Sequence, residues 1–463
     1  NAAAVIVILG VSGAFFEERR RRAAADRLRA RARVPLDKGW ELALRVPPDH
    51  AAAERQYTRA LEIDPSFAWA HYARGRSRQA LNMHDAALRD LRRAAELDAS
   101  LIMARYHAGR IYMEDRRNVE AARKQFAAMR GLDPDNEYSM LGEGWLATVE
   151  GKWDEALRLA DLAEKANPDF ADVYDLRGYV WSALRSPKRS PARAVAAYSR
   201  FLQAMPHSVT ALNNRGYALI QLGRLGEAER DLDRALELDP DYIYALTNRG
   251  SLLTRRGELA GAIRDLDRAQ RLNPGYIWIY LNRGAAYELL GNYERAREDY
   301  VTATGLDEDS ALPYRRRAML EMRAGDFLRA METYGTALEL CSPEVANTVR
   351  RRLGMAAYYA GSYEDAERIW RLDLRRRAAG TRLYSGLLLW RLLTELGRAE
   401  EADAMLSELR AEDKEKEHLR AVAGYCLRRT GEGGAFEGAE GPGELCEIFY
   451  YMGGALAAWG ELE

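Results

Sequence analysis

An interval of about 34 residues runs through most of this chain, and it restricts the chain to a stack of like units. Its plainest mark is a helix-stopping dipeptide. This stands at Asp64-Pro65, Asp98-Ala99, Asp133-Pro134, Asn167-Pro168, Met205-Pro206, Asp239-Pro240, Asn273-Pro274, Asp307-Glu308 and Ser342-Pro343. The second members lie 34, 35, 34, 38, 34, 34, 34 and 35 residues apart. A glycine row keeps phase with it: Gly75, Gly109, Gly144, Gly178, Gly216, Gly250 and Gly284, continued by Ala318 and Gly354. An alanine row follows at Ala87, Ala121, Ala156, Ala194, Ala228, Ala262, Ala296, Ala330, Ala366 and Ala402. A fourth row, Gly151, Gly223, Gly257, Gly291, Gly325, Gly361 and Gly397, marks a turn inside each unit.

Each row has a physical reason. The spacing predicts a helix over Tyr244–Arg256, free of proline and ended by Gly257, which supplies the positive φ of a helix stop. A second helix is expected over Leu259–Leu272, with small or apolar residues at Ala262, Ile263, Leu266, Ala269 and Leu272. That is the 3.6-residue stripe of a buried face. Pro274 ends it by pushing Asn273 out of the α region, while Gly250 and Ala262 let the two backbones approach. One unit is thus a helical hairpin that cannot bury its apolar face alone, so neighbours must stack. The one 38-residue interval holds a longer turn, Ser-Pro-Lys-Arg-Ser-Pro at 186–191, where Pro191 suits the first turn of the next helix.

Arginine beside the repeat glycine is followed sixteen residues later by aspartate at Arg74/Asp90, Arg215/Asp231, Arg249/Asp265 and Arg283/Asp299. Where Leu353 replaces the arginine, Ile369 replaces the aspartate. This predicts a pair joining the two helices of one hairpin. Arg177/Arg193 and Arg317/Thr333 break the pattern.

The segments NRGYALIQLGRLGEAERDLDRALELDP (214–240) and NRGSLLTRRGELAGAIRDLDRAQRLNP (248–274) resemble the tetratricopeptide repeat (TPR) family, over most of residues 35–463. The resemblance implies an all-α, right-handed superhelical solenoid of about ten to eleven hairpins, with the first helix of each repeat lining the concave face. The expected organisation is an apolar anchor and Arg-rich juxtamembrane helix at 1–34, the solenoid at 35–411, and irregular helices at 412–463. The last part holds a helix at 414–429, a Gly/Glu-rich loop at 430–443 and the start of a further repeat. Beginning with Asn1 and stopping in mid-motif, the chain reads as a piece of a longer product. The stretch LYSGLLLWRLLTELGRAEEADAML (383–406), with CEIFYYMGG (446–454), is similar to bacterial TPR lipoproteins of the new-lipoprotein-I type. It lacks their N-terminal lipidated cysteine, and no function follows from that likeness.

Lys and Arg total 69 against 70 Asp and Glu, so the net charge of −1 argues against a nucleic-acid partner. The cysteines Cys341, Cys426 and Cys446 form no CxxC and are odd in number, which removes a disulfide framework and a zinc site of cysteines. No P-loop, nucleophile-elbow, zincin or dinucleotide motif stands in a fitting context. The expectation is a non-enzyme with no catalytic residue, cofactor, metal or small-molecule substrate.

Residues 2–16 are a small or apolar run that as a helix would reach about 22 Å, short of a hydrocarbon core of roughly 30 Å. Eight arginines against three acids follow within 17–33. Three readings compete. The first is a single membrane anchor, whose arginines would keep the repeats in the cytoplasm. The second is a cleaved signal peptide exporting the repeats to the periplasm. The third is a helix packed on its own repeats. The anchor is the expectation taken forward.

If the first helices face inward, one stripe reads Thr210, Asn214, Tyr217, Gln221, then Tyr244, Asn248, Ser251, Arg255, then Trp278, Asn282, Ala285, Leu289. Asn214, Asn248 and Asn282 form a ladder whose amides suit the backbone of an extended peptide; equally, they suit packing between helices. Tyr244 and Trp278 suit an apolar ligand side chain, or the seam between repeats. The ladder position elsewhere holds Ala73, His107, Gly142, Leu176, Arg316 and Arg352. The last two belong to a basic patch with Arg315, Arg317, Arg350 and Arg351, suited to a carboxylate or phosphate or else a solvated face. The function expected is a membrane-tethered scaffold binding a protein or peptide partner in the groove. The alternative is a permanent subunit of an envelope, motility or secretion assembly, using its outer surface and C-terminal tail.

Overall fold

Every turn between the two helices of a regular repeat needs one residue with φ > 0, and the glycine row supplies it. All seven of its members adopt φ between 71° and 79°. At Gly257 (φ 79°) the amide of the following Glu258 returns to the Leu253 carbonyl, closing the helix end. The second helix runs Leu259–Leu272, as its sequence predicts, and the first runs Ile243–Arg256.

The computed structural model describes residues 24–45, 48–81, 83–114, 118–183, 186–375 and 382–412. These fall into two compact units, divided between Pro274 and Gly275. The first holds seven hairpins. They are α1 (24–43) with α2 (His50–Ile63), α3 (Ala68–Ala80) with α4 (His84–Leu97), α5 (Ile102–Glu114) with α6 (Val119–Leu132), and α7 (Glu137–Val149) with α8 (Trp153–Ala166). Then come α9 (Asp172–Ser182) with α10 (Pro191–Ala204), α11 (Val209–Gln221) with α12 (Leu225–Leu238), and α13 (Ile243–Arg256) with α14 (Leu259–Leu272). The second holds four: α15 (Ile277–Leu289) with α16 (Tyr293–Leu306), α17 (Ala311–Arg323) with α18 (Phe327–Leu340), α19 (Pro343–Tyr359) with α20 (Tyr363–Arg375), and α21 (Arg382–Glu395) with α22 (Ala399–Glu412). Among the described residues every regular element is helical.

The dipeptide row works by more than proline. Asp98-Ala99 has no proline, yet Asp98 takes the same extended backbone (φ −141°, ψ 98°) as Asp64 (φ −133°, ψ 93°). Its carboxylate accepts from the Ser100 amide at 3.0 Å and hydroxyl at 2.6 Å, and Asp64 does the same with Ser66. The local Asx turn sets the corner, and proline only reinforces it.

Within a hairpin, a bulky residue of the second helix lies over the repeat glycine of the first. A Cβ on Gly250 would come within 2.7 Å of Leu266 Cγ, and one on Gly284 within 2.6 Å of the Tyr300 ring. The alanine row is fully buried from Ala87 to Ala402, with one correction: at Ala121 the buried residue is its neighbour Ala122. There the bulky partner of Gly109 is Phe126, seventeen residues on, so the register of α6 is advanced by one.

The predicted pairs form. Arg74, Arg215, Arg249 and Arg283 each reach both oxygens of their aspartates, at 2.6–3.0 Å. They also fork backwards. Arg249 Nη1 donates to Asp233 (2.8 Å), Arg215 Nη1 to Ser199 (3.1 Å) and Arg74 Nη1 to Thr58 (3.3 Å), each sixteen residues earlier in the preceding hairpin. Arg177 uses the backward arm alone and takes Asp161 and Glu164; the longer turn shifts α10 by four residues, so Tyr198 covers Gly178 and buried Ala197, not Arg193, stands where other repeats have aspartate. The arginine therefore ties neighbouring repeats as well as the two helices of one. Arg317 turns to Glu321 on its own helix (2.8 Å). In the repeat of Leu353 and Ile369 a buried pair reappears at a new place, Arg350 with Asp373 (3.0 Å).

Helix α1 runs without a break across the expected boundary at 34/35, with Ala32 fully buried and Arg29 3.5 Å from Asp64. Part of the arginine-rich segment thus belongs to the first hairpin. The apolar run 2–16, the expected helix at 414–429 and the loop at 430–443 lie outside the described residues. Among those described, no helix is long and apolar enough to cross a membrane.

Candidate functional site

In the first unit the odd-numbered helices α3 to α13 touch one another in succession, so they form the inner layer and the even helices the outer one. In the second, α15 touches α17 in the same way. In the first unit the stripe read from the sequence lies on α11 and α13 of this layer, and Asn248 and Arg255 of α13 reach Asn213 and Ile220 of α11.

The ladder amides are partly committed to one another. Asn248 Nδ2 donates to Asn213 Oδ1 (2.8 Å), and Asn213 Nδ2 donates to Asn214 Oδ1 (3.0 Å). Asn214 also bonds the Tyr198 hydroxyl beneath it. Asn213 is buried and stands one position before the ladder; the sequence reading passed over it. Beside these, burial raises the Tyr217 phenol pKa against the opposing pull of Arg189, the Gln221 amide and Arg255. The Arg189 guanidinium caps Gln221 Oε1 at 2.7 Å. Arg255 is exposed and its Nη1 lies 3.5 Å from the Ile220 carbonyl, spanning α13 to α11. Tyr244 stays 43 % exposed, edge-on to Tyr242 at 5.4 Å. The structure therefore brings together Asn214, Asn248, Tyr217 and Arg255. Asn282 and Trp278 lie half-buried on α15 in the second unit, as do Arg316 on α17 and Arg352 on α19.

The densest constellation on the inner layer is one that the sequence stripe missed. Arg110 lies 3.8 Å above the Trp145 ring, donates to the Tyr106 hydroxyl (3.4 Å) and reaches Asp175 at 3.3 Å. Trp145 Nε1 donates to the same Tyr106 oxygen at 3.3 Å. One repeat earlier, Arg76 repeats the register: its Nη1 donates to the Tyr72 hydroxyl (3.4 Å) and to His107 Nε2 (2.5 Å). Rings continue the surface, with Tyr138 5.4 Å from Tyr106 and 4.7 Å from Phe170, and Tyr179 5.3 Å from Trp145. A signal for it existed, since Tyr72-Ala-Arg-Gly75-Arg76 and Tyr106-His-Ala-Gly109-Arg110 share a Tyr-x-x-Gly-Arg pattern.

Its electrostatics follow from burial. His107 is held well below the usual imidazole pKa, first by burial and then by Arg76 and Arg110, so it is neutral and accepts at Nε2. His50 is lowered by burial and Arg76, and its buried Nδ1 has no hydrogen-bond partner among the described residues. Burial pushes the Tyr138 phenol up to about 12. Asp172 is raised by burial and by Asp175, against the opposing pull of Arg110 and Arg76. Such a surface offers rings, a neutral histidine and guanidinium groups to a ligand lying along it. Among the described residues, no group of three or more His, Cys, Asp or Glu converges to hold a metal.

Three family models match: tetratricopeptide repeat at residues 209–242 and again at 279–310, and TPR repeat at 250–291. No curated protein matches the sequence. Among solved structures, the human IFIT1 dimer with PPP-AAAA is similar at TM-score 0.51 and 16 % identity, covering 85 % of this chain and 96 % of that one. A tetratricopeptide repeat protein from Parabacteroides merdae is 18 % identical, with TM-score 0.41 over 56 % of this chain and 97 % of its own. The Cut9-Hcn1 hetero-tetramer of APC/C is 15 % identical, with TM-score 0.46 over 81 % of this chain and 84 % of that one. The three family matches fall on the phased rows, glycine turns and stacked hairpins already described, so the chain carries tetratricopeptide repeats.

Proposed function

We propose that this chain is a non-enzymatic scaffold that gathers a protein partner as an extended segment along the inner layer of its first unit. Tetratricopeptide repeats support a protein-interaction role in general. The observation that carries the finer reading is the exposure of large aromatics: Trp69 on α3 and Tyr244 on α13 leave 41 % and 43 % of their surface open. Such side chains serve as anchors at interfaces. Between them lie the rings of Tyr138 and Tyr179 and the amide of Asn248, whose carbonyl oxygen receives no hydrogen bond among the described residues. Tethering to a membrane through residues 1–34, with the repeats in the cytoplasm, rests on the apolar run 2–16 and the arginines after it.

The test places a photo-crosslinking amino acid at position 69 or 244, and at Leu162 of the outer helix α8 as a control. After detergent extraction of native membranes, cross-linked partner bands at 69 and 244, absent at 162, are expected. Bands only at 162 would move the working surface to the outer face and favour a permanent structural subunit instead. Recovery of the chain in the soluble fraction without detergent would remove the tether.

A further inference from the structure

Along α3, α5, α7 and α9 the inner layer holds hydrogen-bond donors that the chain itself leaves unanswered. The Trp69 Nε1–H and the Tyr138 and Tyr179 hydroxyls have no hydrogen-bond partner among the described residues. His107 accepts from Arg76 at Nε2, so its own ring proton stands on Nδ1, again without an acceptor there. Arg76 is exposed, bonds only the neutral Tyr72 and His107, and forms no ion pair with a carboxylate among the described residues. Trp69, His107 and Arg76 can only donate from these nitrogens, and each phenol carries a proton as well. Against these donors stands the Asp172 carboxylate, which burial and Asp175 shift toward its protonated form.

A ligand that answers this surface must be rich in acceptors and poor in donors. An ordinary extended segment brings an amide N–H with every carbonyl, and an N–H pressed against donors loses its water without gaining a partner. Proline removes that donor and keeps the carbonyl. A run of prolines also adopts the polyproline II helix, which has no internal hydrogen bonds and so leaves its carbonyls open. The length scale agrees. Three residues at about 3.1 Å each make a turn of about 9 Å, and packed neighbouring helices stand about 8–10 Å apart. Since α3, α5, α7 and α9 touch in that order, each would meet the same edge of such a ligand. Rings supply the apolar part: Trp69 lies 5.7 Å from Tyr72, Tyr138 4.7 Å from Phe170 and Tyr179 5.3 Å from Trp145. Grooves lined by aromatics take up proline-rich segments, and the preformed helix keeps the ordering cost low.

We propose that the segment taken up by α3, α5, α7 and α9 is a proline-rich stretch of the protein partner in the polyproline II form, its carbonyls met by Trp69, Arg76, His107, Tyr138 and Tyr179. The proposal rests on the groove reading above and names the chemistry of what the groove takes. Charge speaks against an acidic segment in its place, because Arg110 is already paired with Asp175 at 3.3 Å and Arg76 shares the surface with Asp172.

The test is a titration of the full chain with fluorescein-labelled decaproline, read by anisotropy, beside labelled Gly-Ser and polyglutamate peptides of equal length. Decaproline should bind saturably and with little response to added salt, and the Gly-Ser peptide about tenfold more weakly or worse. Trp69→Phe/Tyr138→Phe/Tyr179→Phe keeps every ring and removes three donors, so it should weaken decaproline about tenfold or more while the unfolding temperature holds. Three results would each overturn the proposal: no saturable binding of decaproline, equal binding of the Gly-Ser peptide, or full affinity in the triple variant. Salt-sensitive binding of polyglutamate in place of decaproline would assign the surface to an acidic partner and overturn it too. Decaproline should also compete away the partner bands cross-linked from position 69. Bands that survive saturating decaproline would overturn the proline-rich segment and leave the groove reading standing, whereas absence of any band at 69 would remove the groove reading itself.

Discussion

Asp265→Ala removes the acid that holds Arg249 between α13 and α14, and its cost can be bounded from the geometry. Truncating one member of a fully buried pair costs about 3–5 kcal/mol, whereas a surface pair contributes about 0–1 kcal/mol. The Arg249 and Asp265 side chains are 28 % and 13 % exposed, between these limits, and Arg249 keeps Asp233 at 2.8 Å when Asp265 is lost. A cost of about 2 kcal/mol follows, equivalent to roughly thirtyfold faster amide exchange wherever that hairpin opens locally. Arg249→Leu/Asp265→Ile copies the pair at Leu353 and Ile369, both of which lie in apolar surroundings. It leaves no charge unmatched except the exposed Asp233, so exchange should rise less than about fivefold. Hydrogen exchange read by mass spectrometry across 243–272 separates the two. Asp299→Ala should cost more than Asp265→Ala, since Arg283 and Asp299 are only 11 % and 6 % exposed. Glu227→Ala, which breaks the exposed pair with Arg224, should leave exchange unchanged. Equal acceleration by Asp265→Ala and the double variant would refute the view that the pair is a replaceable unit.

Gly257→Ala places a side chain at φ 79° in open space and should cost about 1 kcal/mol from backbone strain alone, read as a shift in the urea midpoint. Gly250→Ala meets Leu266 Cγ instead and should cost about 1–3 kcal/mol, with part regained on adding Leu266→Ala; no rescue would exclude the close contact as the cause. His107 has a folded pKa depressed below 6.5. The stability it contributes is full above about pH 6.5 and is lost as pH falls through the lowered value. His107→Gln should flatten the decline in urea midpoint from pH 7 to pH 5, leaving the smaller share of His50; an unchanged slope would refute this assignment. Asp172 is the opposite case. Its raised pKa favours the protonated form, whose contribution is full below about pH 3.8 and is lost as pH rises. Asp172→Asn should therefore raise the urea midpoint at pH 7, and a lowered midpoint would count against it.

Legibility differed sharply between elements. The limits of α14, the glycine turns and the Arg249/Asp265 pair could be read because each joins residues within one hairpin, where separation along the chain sets separation in space. The slip at Ala121 came from one extra residue ahead of α6, which the 34-residue phase alone does not locate. The backward arm from Arg249 to Asp233 is as periodic as the forward one, yet it only gains meaning once hairpins are stacked. The ring and guanidinium surface was the hardest to see. Arg110 meets Asp175 across 65 residues, and Tyr106 meets Trp145 across 39, so no local window contains them.

The sequence by itself determined the unit: its period, its two helices, the turn that joins them and the residues that fill its seam. These depend on local backbone preference and on a small residue facing a large one at constant spacing. Tertiary structure alone decided which polar groups find partners. Six arginines of one patch look alike in the sequence, yet Arg317 and Arg350 meet acids while Arg315 and Arg316 meet no carboxylate among the described residues. Asn214 is drawn into contacts with Asn213 and Tyr198, whereas the Asn248 carbonyl oxygen accepts no hydrogen bond among the described residues. The physical reason is that a side chain's partner depends on how one hairpin is rotated and set against the next, and composition and period leave that rotation undetermined.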